Sequence, residues 1–150
     1  MTEFMAERTV LQSISQSHVV TAVPEASVYE VARAMTQAHC GSILVVDAAG
    51  AMAGIFTERD LLNKVVAQAL DPKATRVSEV MTRNPLSVPP ETLVSDAVLL
   101  MRKHGLRHLP LVSAETKLLG VFSMRDASPR ELVDAEDLAE HLEQLNDVLA

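Results

Sequence analysis

A seven-residue pattern occurs twice in this chain, as Gly54-Ile55-Phe56-Thr57-Glu58-Arg59-Asp60 and as Gly120-Val121-Phe122-Ser123-Met124-Arg125-Asp126. A glycine inside a strand permits a bend or the close approach of another backbone. The hydroxyl of Thr57 or Ser123 falls where a strand gives way to a helix, so it can cap that helix. The exposed N–H groups of a helix start also form a site for anions. An aspartate three residues further on can accept two hydrogen bonds from a vicinal diol such as that of ribose. The same spacing of Thr/Ser and acid defines a capping box. Capping and ligand binding are compatible uses of these residues, and both readings stand.

The other reactive residue types point away from catalysis. His104 and His108 are four apart, but Gly105 and the strand that follows break the helical face a metal pair needs. His39, near a helix end, reads as a solvated residue or one placed at the C-terminal dipole. No group of His, Cys and carboxylates has metal-ligand spacing. Cys40, beside Gly41, matches no nucleophile motif and reads as a small buried or half-buried residue. There is no Gly-x-Gly-x-x-Gly, P-loop or nucleophile elbow. With no general base placed beside a nucleophile, the chain is expected not to be an enzyme and to need no catalytic cofactor.

The elements that must position the two motifs are themselves repeated. Sliding the sequence by 66 residues, with no gap, sets Pro24-Glu25 on Pro90-Glu91, Val28 on Val94, Met35 on Met101, Val46 on Val112, and Arg59-Asp60 on Arg125-Asp126. Upstream, the same shift sets Thr21 on Ser87 and Ile14 on Val80. Residues 9–61 and 75–127 are thus two copies of one unit. Each copy opens with a β-type stretch, His18–Val23 or Pro85–Val88. A helical pattern follows, with one face lined by Val28, Val31, Ala32 and Met35 in the first copy and by Val94, Ala97, Val98 and Met101 in the second. Ile43–Val46 and Leu109–Val112 read as buried strands, each followed by a turn (Asp47–Gly50; Ser113–Lys117) and a strand into the glycine motif. A second helix from Glu58 is expected to bury Leu61, Leu62, Val65, Val66 and Ala69. Val77–Thr82 reads as the opening turn of the second copy. One such β-α-β-β-α unit alone buries too little apolar surface to be comfortably stable, so the two are expected to pack together. The joint between them is where a ligand is expected.

Composition narrows the class. The chain has 150 residues, 48% of them hydrophobic, but only three Phe, one Tyr and no Trp, so its core is aliphatic. Its net charge of −7 is uneven. Residues 1–127 carry 12 Lys and Arg against 13 Asp and Glu, and residues 128–150 carry one Arg against seven acids. That balance lacks the basic excess that nucleic-acid backbones require, and an anionic membrane would repel the tail. No apolar stretch approaches the roughly 20 residues of a membrane helix, and the start does not read as a signal peptide. The single cysteine excludes an internal disulfide and fits a reducing compartment. A soluble, cytoplasmic protein is expected, with neither nucleic acid nor membrane as partner.

The doubled Gly-h-h-(Thr/Ser)-x-x-Asp, the Val77-Ser78-Glu79-Val80-Met81-Thr82 between the copies and His104-Gly-Leu-Arg-His-Leu-Pro-Leu-Val112 together resemble the CBS domain family, named for cystathionine β-synthase. Two copies form a Bateman module, and the resemblance covers roughly residues 9–127. It implies an α/β (α+β) fold of two tandem CBS motifs, 9–70 and 75–127, packed about a pseudo-twofold axis, with residues 128–150 as a further helix. It also implies a stand-alone regulatory protein in signal transduction or energy sensing. The implied ligand, held in the inter-motif cleft, is adenosyl: AMP, ADP, ATP, NAD(H) or S-adenosylmethionine. By the same resemblance Asp60 and Asp126 hold ribose hydroxyls, and Thr57 and Ser123 contact ribose or phosphate. Thr21, Val23 and Ser87 on the first strand line the base, Ile43 and Leu109-Pro110 flank the adenine, and Arg107-His108 reach phosphate. The first copy has Gly41-Ser42 in place of that last pair, which makes the two sites unequal; Arg59 and Arg125 are further phosphate candidates.

The tail departs from the repeat. Ser128 can cap, Pro129 suits the first helical position and Glu131 completes a capping box. Leu138, Leu142, Leu145 and Leu149 then form an apolar stripe on an acidic amphipathic helix. The stripe either packs on its own module or forms a homodimer or partner contact. The alternative to a nucleotide sensor is accordingly a protein-interaction or dimerisation module with vestigial ligand sites.

Overall fold

A computed structural model of the chain describes residues 7–14 and 19–149, with side chains through 146. Its elements are α1 (Val10–Ser13), β1 (Thr21–Ala22), α2 (Val28–Ala38), β2 (Ser42–Val46), β3 (Met52–Thr57), α3 (Glu58–Asp60) running into a π-helical turn (Leu61–Val66), α4 (Val77–Val80), β4 (Thr82–Arg83), α5 (Val94–His104), β5 (His108–Val112), β6 (Leu118–Ser123), a 3-10 turn (Met124–Asp126) and α6 (Pro129–Leu149). The chain has the expected α+β architecture of two β-α-β-β units with a C-terminal helix. Two compact units form: one takes in residues 19–86 with 116–118, the other residues 7–14, 87–115 and 119–149.

The first unit is built on a sheet of order β1-β2-β3-β4. β1 runs parallel to β2, and β2 and β3 form a hairpin in which Ser42 faces Thr57 and Ile43 faces Phe56. Asp47 closes that hairpin: its Oδ1 accepts from the Ala49 and Ala51 amides at 2.9 and 3.0 Å. α2 starts at a capping box between Ser27 and Glu30 and buries Val28, Val31 and Met35 against Ile43, Val45 and Phe56. The second unit repeats this with β5-β6 and with α5, whose Val94, Ala97, Val98 and Met101 are all buried against Leu109, Leu111 and Phe122.

The opening β stretches are shorter than the sequence suggests. Only Thr21–Ala22 forms a strand in the first copy, with Val23 exposed beyond it, and His18 lies outside the described residues. In the second copy Pro85 and Leu86 are outside any strand, and a single parallel bridge joins Val88 to Leu111. The cause is Pro110. In the first copy the Leu44 amide closes a rung on the Val20 carbonyl at 3.2 Å; Pro110, at the matching position, has no N–H to donate.

A one-residue slip also separates the opening turns from the rest of the repeat. The Val10 amide donates to Thr92 O and the Val94 amide to Arg8 O, at 2.8 and 3.0 Å. In the other unit the Val77 amide donates to Ala26 O and the Val28 amide to Thr75 O, at 2.8 and 2.9 Å. Val10 is therefore equivalent to Val77, an offset of 67, and Ile14 pairs with Met81 rather than with Val80. The docking geometry explains this. A Cβ built on Gly54 would lie 2.6 Å from the Thr82 carbonyl oxygen and 2.7 Å from Met81 Sδ, and one on Gly120 would lie 2.7 Å from Ile14 Cδ1. Each glycine admits the residue that ends the opening turn, and the extra residue of sequence falls between that turn and the first strand.

The helix after Glu58 corrects another expectation. Its amides bond five residues back, Ala67 to Leu62 O at 2.9 Å and Leu70 to Val65 O at 3.0 Å. The i, i+3, i+4 face that ordinary helical winding would bury therefore does not form. Val65 is buried and Leu61 partly so, while Leu62, Val66 and Ala69 are exposed.

α6 packs along α5 within the second unit. Its start carries the expected box: the Ser128 amide donates to Glu131 Oε1 at 2.8 Å and the Glu131 amide to Ser128 Oγ at 3.3 Å. Arg8 adds a contact across 123 positions of sequence, with Nη2 and Nε on the two Glu131 oxygens at 2.6 and 3.2 Å. The stripe is split: Leu138 is half-buried, and the Leu149 side chain lies outside the described ones. Ala135 is fully buried and Leu132 packs beside it, whereas Leu142 and Leu145 are 45% and 44% exposed.

Three outcomes test this account. Gly54→Ala should lower the unfolding free energy in urea by about 1–3 kcal/mol, because the obstructing atom is backbone and cannot swing away; an unchanged midpoint would contradict the close approach. His39 ends α2 in the left-handed conformation at φ 53°, where α5 has Gly105 at φ 66°. His39→Gly should therefore raise stability by about 0.5–1 kcal/mol, the relief of a left-handed Cβ less the added chain entropy. Lastly, the Arg8 hydrogen bond, helped by the Ser128 amide and opposed by burial, holds the Glu131 carboxyl below its ordinary 4.5. A depressed carboxylate stabilises the fold above its unfolded value and loses that effect as pH falls through the folded one. Glu131→Gln keeps the cap but not the charge, so wild type should exceed it by about 0.5–1 kcal/mol at neutral pH, allowing for solvent screening at half-exposed Arg8. That gap should close below pH 4.5; a gap independent of pH would remove the ion pair as its source.

Candidate functional site

Both glycine motifs end their strand in a reciprocal cap. At the first, Asp60 Oδ2 accepts from the Thr57 amide at 3.0 Å, and Thr57 Oγ1 accepts from the Asp60 amide at 3.2 Å. At the second, Asp126 Oδ2 accepts from the Ser123 amide at 2.8 Å, and Ser123 Oγ accepts from the Arg125 amide at 3.4 Å. A further clamp lies between these amides: Glu58 N–H donates to Gly41 O and Met124 N–H to Arg107 O, each at 3.0 Å. This clamp joins the start of β2 or β5 to the residue after the hydroxyl. It runs through backbone atoms alone, so no residue type announces it. It also revises the anion-site reading of these helix starts. The amides of Thr57, Glu58 and Asp60, and those of Ser123, Met124 and Arg125, already have acceptors inside the protein.

Beyond the cap the copies diverge. Leu61 continues in the helical region at φ −58° and ψ −47°, which brings Lys64 Nζ to 3.2 Å from Asp60 Oδ1. Ala127 is extended at φ −79° and ψ 139°, so no helical turn follows Asp126 directly. What Asp126 receives instead is Arg8 Nη2, on its backbone carbonyl at 3.0 Å.

The remaining candidates are distributed along the strands. Thr21 and Ser87 are exposed, and Thr21 lies opposite Leu44. Pairing of Ser42 with Thr57 sets the start of β2 beside the first cap, and Ser42 is buried there. Its repeat counterpart His108 is half-buried in β5, and Arg107, Arg59 and Arg125 are exposed. Ile43 and Leu109 belong to the two cores and Pro110 is buried beside Leu109, so their side chains present almost no surface. Sequence reasoning thus brought Thr57 to Asp60 and Ser123 to Asp126, and missed Lys64 and Arg8. The i+4 spacing after Asp60 was the available signal for Lys64; nothing local points to Arg8. Cys40 is half-buried, its thiol donating to Ser42 O at 3.2 Å. Among the described residues no group of three or more His, Cys, Asp or Glu could hold a metal ion, and no helix is long and apolar enough to cross a membrane.

The CBS domain profile matches residues 11–67 and 77–128. An uncharacterised 17.7 kDa protein of Acidianus ambivalens is 32% identical over 130 residues, covering 87% of this chain and 77% of that protein. Of other curated relatives the chain spans less, 58% of one and about a fifth of another. Among solved structures, a protein with CBS domains from Burkholderia ambifaria is 37% identical with a TM-score of 0.72, over 78% of this chain and 86% of that one. A CBS domain protein of Pyrobaculum aerophilum, complexed with AMP, has a TM-score of 0.77 over 87% of this chain and 99% of that one; its 24% identity speaks for the fold. With its glycine–hydroxyl–aspartate cap built twice on matching strands, and with both copies matched by the profile, the chain belongs to the CBS domain family.

Proposed function

We propose that this chain is a regulatory module that binds an adenine nucleotide at its two capped motifs, and that occupancy changes its association with a second copy or with a partner protein. The observation that carries this reading is the duplicated cap. Each cap holds an aspartate rigidly by one carboxylate oxygen, Oδ2, beside a positioned hydroxyl. A carboxylate fixed in this way is a preorganised acceptor for the two hydroxyls of a ribose. In this reading Asp60 and Asp126 take the diol, and Thr57 and Ser123 contact ribose or phosphate. Thr21, Val23 and Ser87 stand near the base, with Ile43, Leu109 and Pro110 supporting the strands behind it. Arg107 and His108, with Arg59 and Arg125, are the phosphate side. AMP is the first ligand to test, with ATP, NAD(H) and S-adenosylmethionine as competitors. Signal transduction is the role suggested for the Burkholderia relative, and a module of this kind acts by binding rather than by catalysis. Such a ligand shifts association only by its difference in affinity between the two states.

Exposed Leu142 and Leu145 favour a second reading, in which the acidic helix is the working surface and the ligand sites are idle. Titration calorimetry with AMP, on protein refolded to strip bound ligand, separates the two. Asp126→Ala should weaken AMP binding about 10- to 100-fold, the effect of losing hydrogen bonds to a charged group. Arg33→Ala, whose guanidinium lies 5.9 Å from the Tyr29 ring centre, should leave it within about twofold. No heat with any of the four ligands would overturn the nucleotide reading and leave the second.

A further inference from the structure

We infer that Lys64 makes the two sites unequal by occupying the Asp60 carboxylate that a ribose would otherwise take, so that the site at Asp126 fills first. The inference rests on the nucleotide reading above and names a residue that sets its order of filling. In the first copy both carboxylate oxygens are engaged, Oδ2 by the Thr57 amide at 3.0 Å and Oδ1 by Lys64 Nζ at 3.2 Å. Lys64 is further steadied by Thr82 Oγ1 at 3.4 Å, on the strand next to β3. An incoming diol must share or displace that ammonium, and it meets a carboxylate whose charge is already compensated.

The second copy lacks this arrangement although the sequence offers the cation. Arg130 stands four residues after Asp126, as Lys64 does after Asp60. A cation at i+4 meets its acid only if the backbone between them is helical. The helical Leu61 satisfies that condition and the extended Ala127 does not. Among the described residues no ion pair joins Arg130 to Asp126. Arg8 hydrogen-bonds the Asp126 backbone carbonyl, and its charge acts on the carboxylate from farther off, without the direct side-chain contact that Lys64 makes with Asp60. The inequality therefore has a source separate from the Gly41-Ser42 and Arg107-His108 difference, and it can be tested apart from it.

The test uses adenosine, which carries the diol without phosphate, alongside AMP. Asp126→Ala isolates the site at Asp60, and binding is followed by the Thr57 amide resonance, whose proton Asp60 holds. Adding Lys64→Met, which keeps much of the aliphatic stem, should tighten adenosine two- to fivefold, about the worth of a half-exposed ion pair. Circular dichroism should show the same melting temperature within a few degrees. Unchanged adenosine affinity would overturn the inference. So would AMP weakened with adenosine unaffected, which would make Lys64 a phosphate ligand instead. Failure of the parent chain itself to bind AMP would overturn the nucleotide reading, and the inference with it.

Discussion

The reciprocal hydrogen bonds between Thr57 and Asp60, and their counterparts at Ser123 and Asp126, govern the geometry of both functional motifs. A strand that ends in a helical turn leaves amides without partners. Here those amides are taken by the motif's own hydroxyl and carboxylate and by the carbonyl of Gly41 or Arg107. The aspartate that caps the turn is thereby fixed with respect to the start of the neighbouring strand. The structural role and the proposed binding role coincide in one residue, so the rigidity a ligand would exploit is already required for the fold to close. The glycine three residues before the hydroxyl serves the other edge of the same strand, where Gly54 lets Met81 and the β4 backbone approach.

Much of this was legible in the sequence. The repeat, the two central hairpins, the buried faces of α2 and α5 and the cap at Ser128 all follow from residue type and period, because local rules and tertiary packing agree there. The failures have physical causes that a period does not carry. The one-residue slip between Ile14 and Met81 is invisible because a loop can take up a residue without altering the pattern on either side. Leu62 and Val66 were assigned inward on a winding that the chain does not adopt. Pro110 was read for its place near a ligand, whereas its missing N–H also shortens the first strand of its copy. The Arg8–Glu131 contact joins residues 123 positions apart, and no local pattern reports it.

The two copies illustrate how a duplicated unit diverges while its core stays the same. Val28 and Val94, Met35 and Met101, and Phe56 and Phe122 fill equivalent core positions. The differences lie at chain exits: His39 against Gly105 at the helix ends, a helical Leu61 against an extended Ala127 after the aspartates. Exits tolerate change because they bury little, yet they decide which charged side chain returns to the motif. Divergence in electrostatics has in this way proceeded without repacking either interior.

α6 packs along α5 and is fastened further at its start. Arg8 and Glu131, with Leu132 and Ala135, fasten its first turns, and its 21 residues extend well past the 11 of α5. At about 1.5 Å per residue such a helix measures about 31 Å, so a tilt of about 5° at the fastened end would sweep the far end through about 3 Å. The fastening includes the Asp126 carbonyl, on the same residue as the carboxylate of the second motif. The start of α6 thus shares a residue with the proposed ligand site, which ties the placement of the helix to that of the second motif.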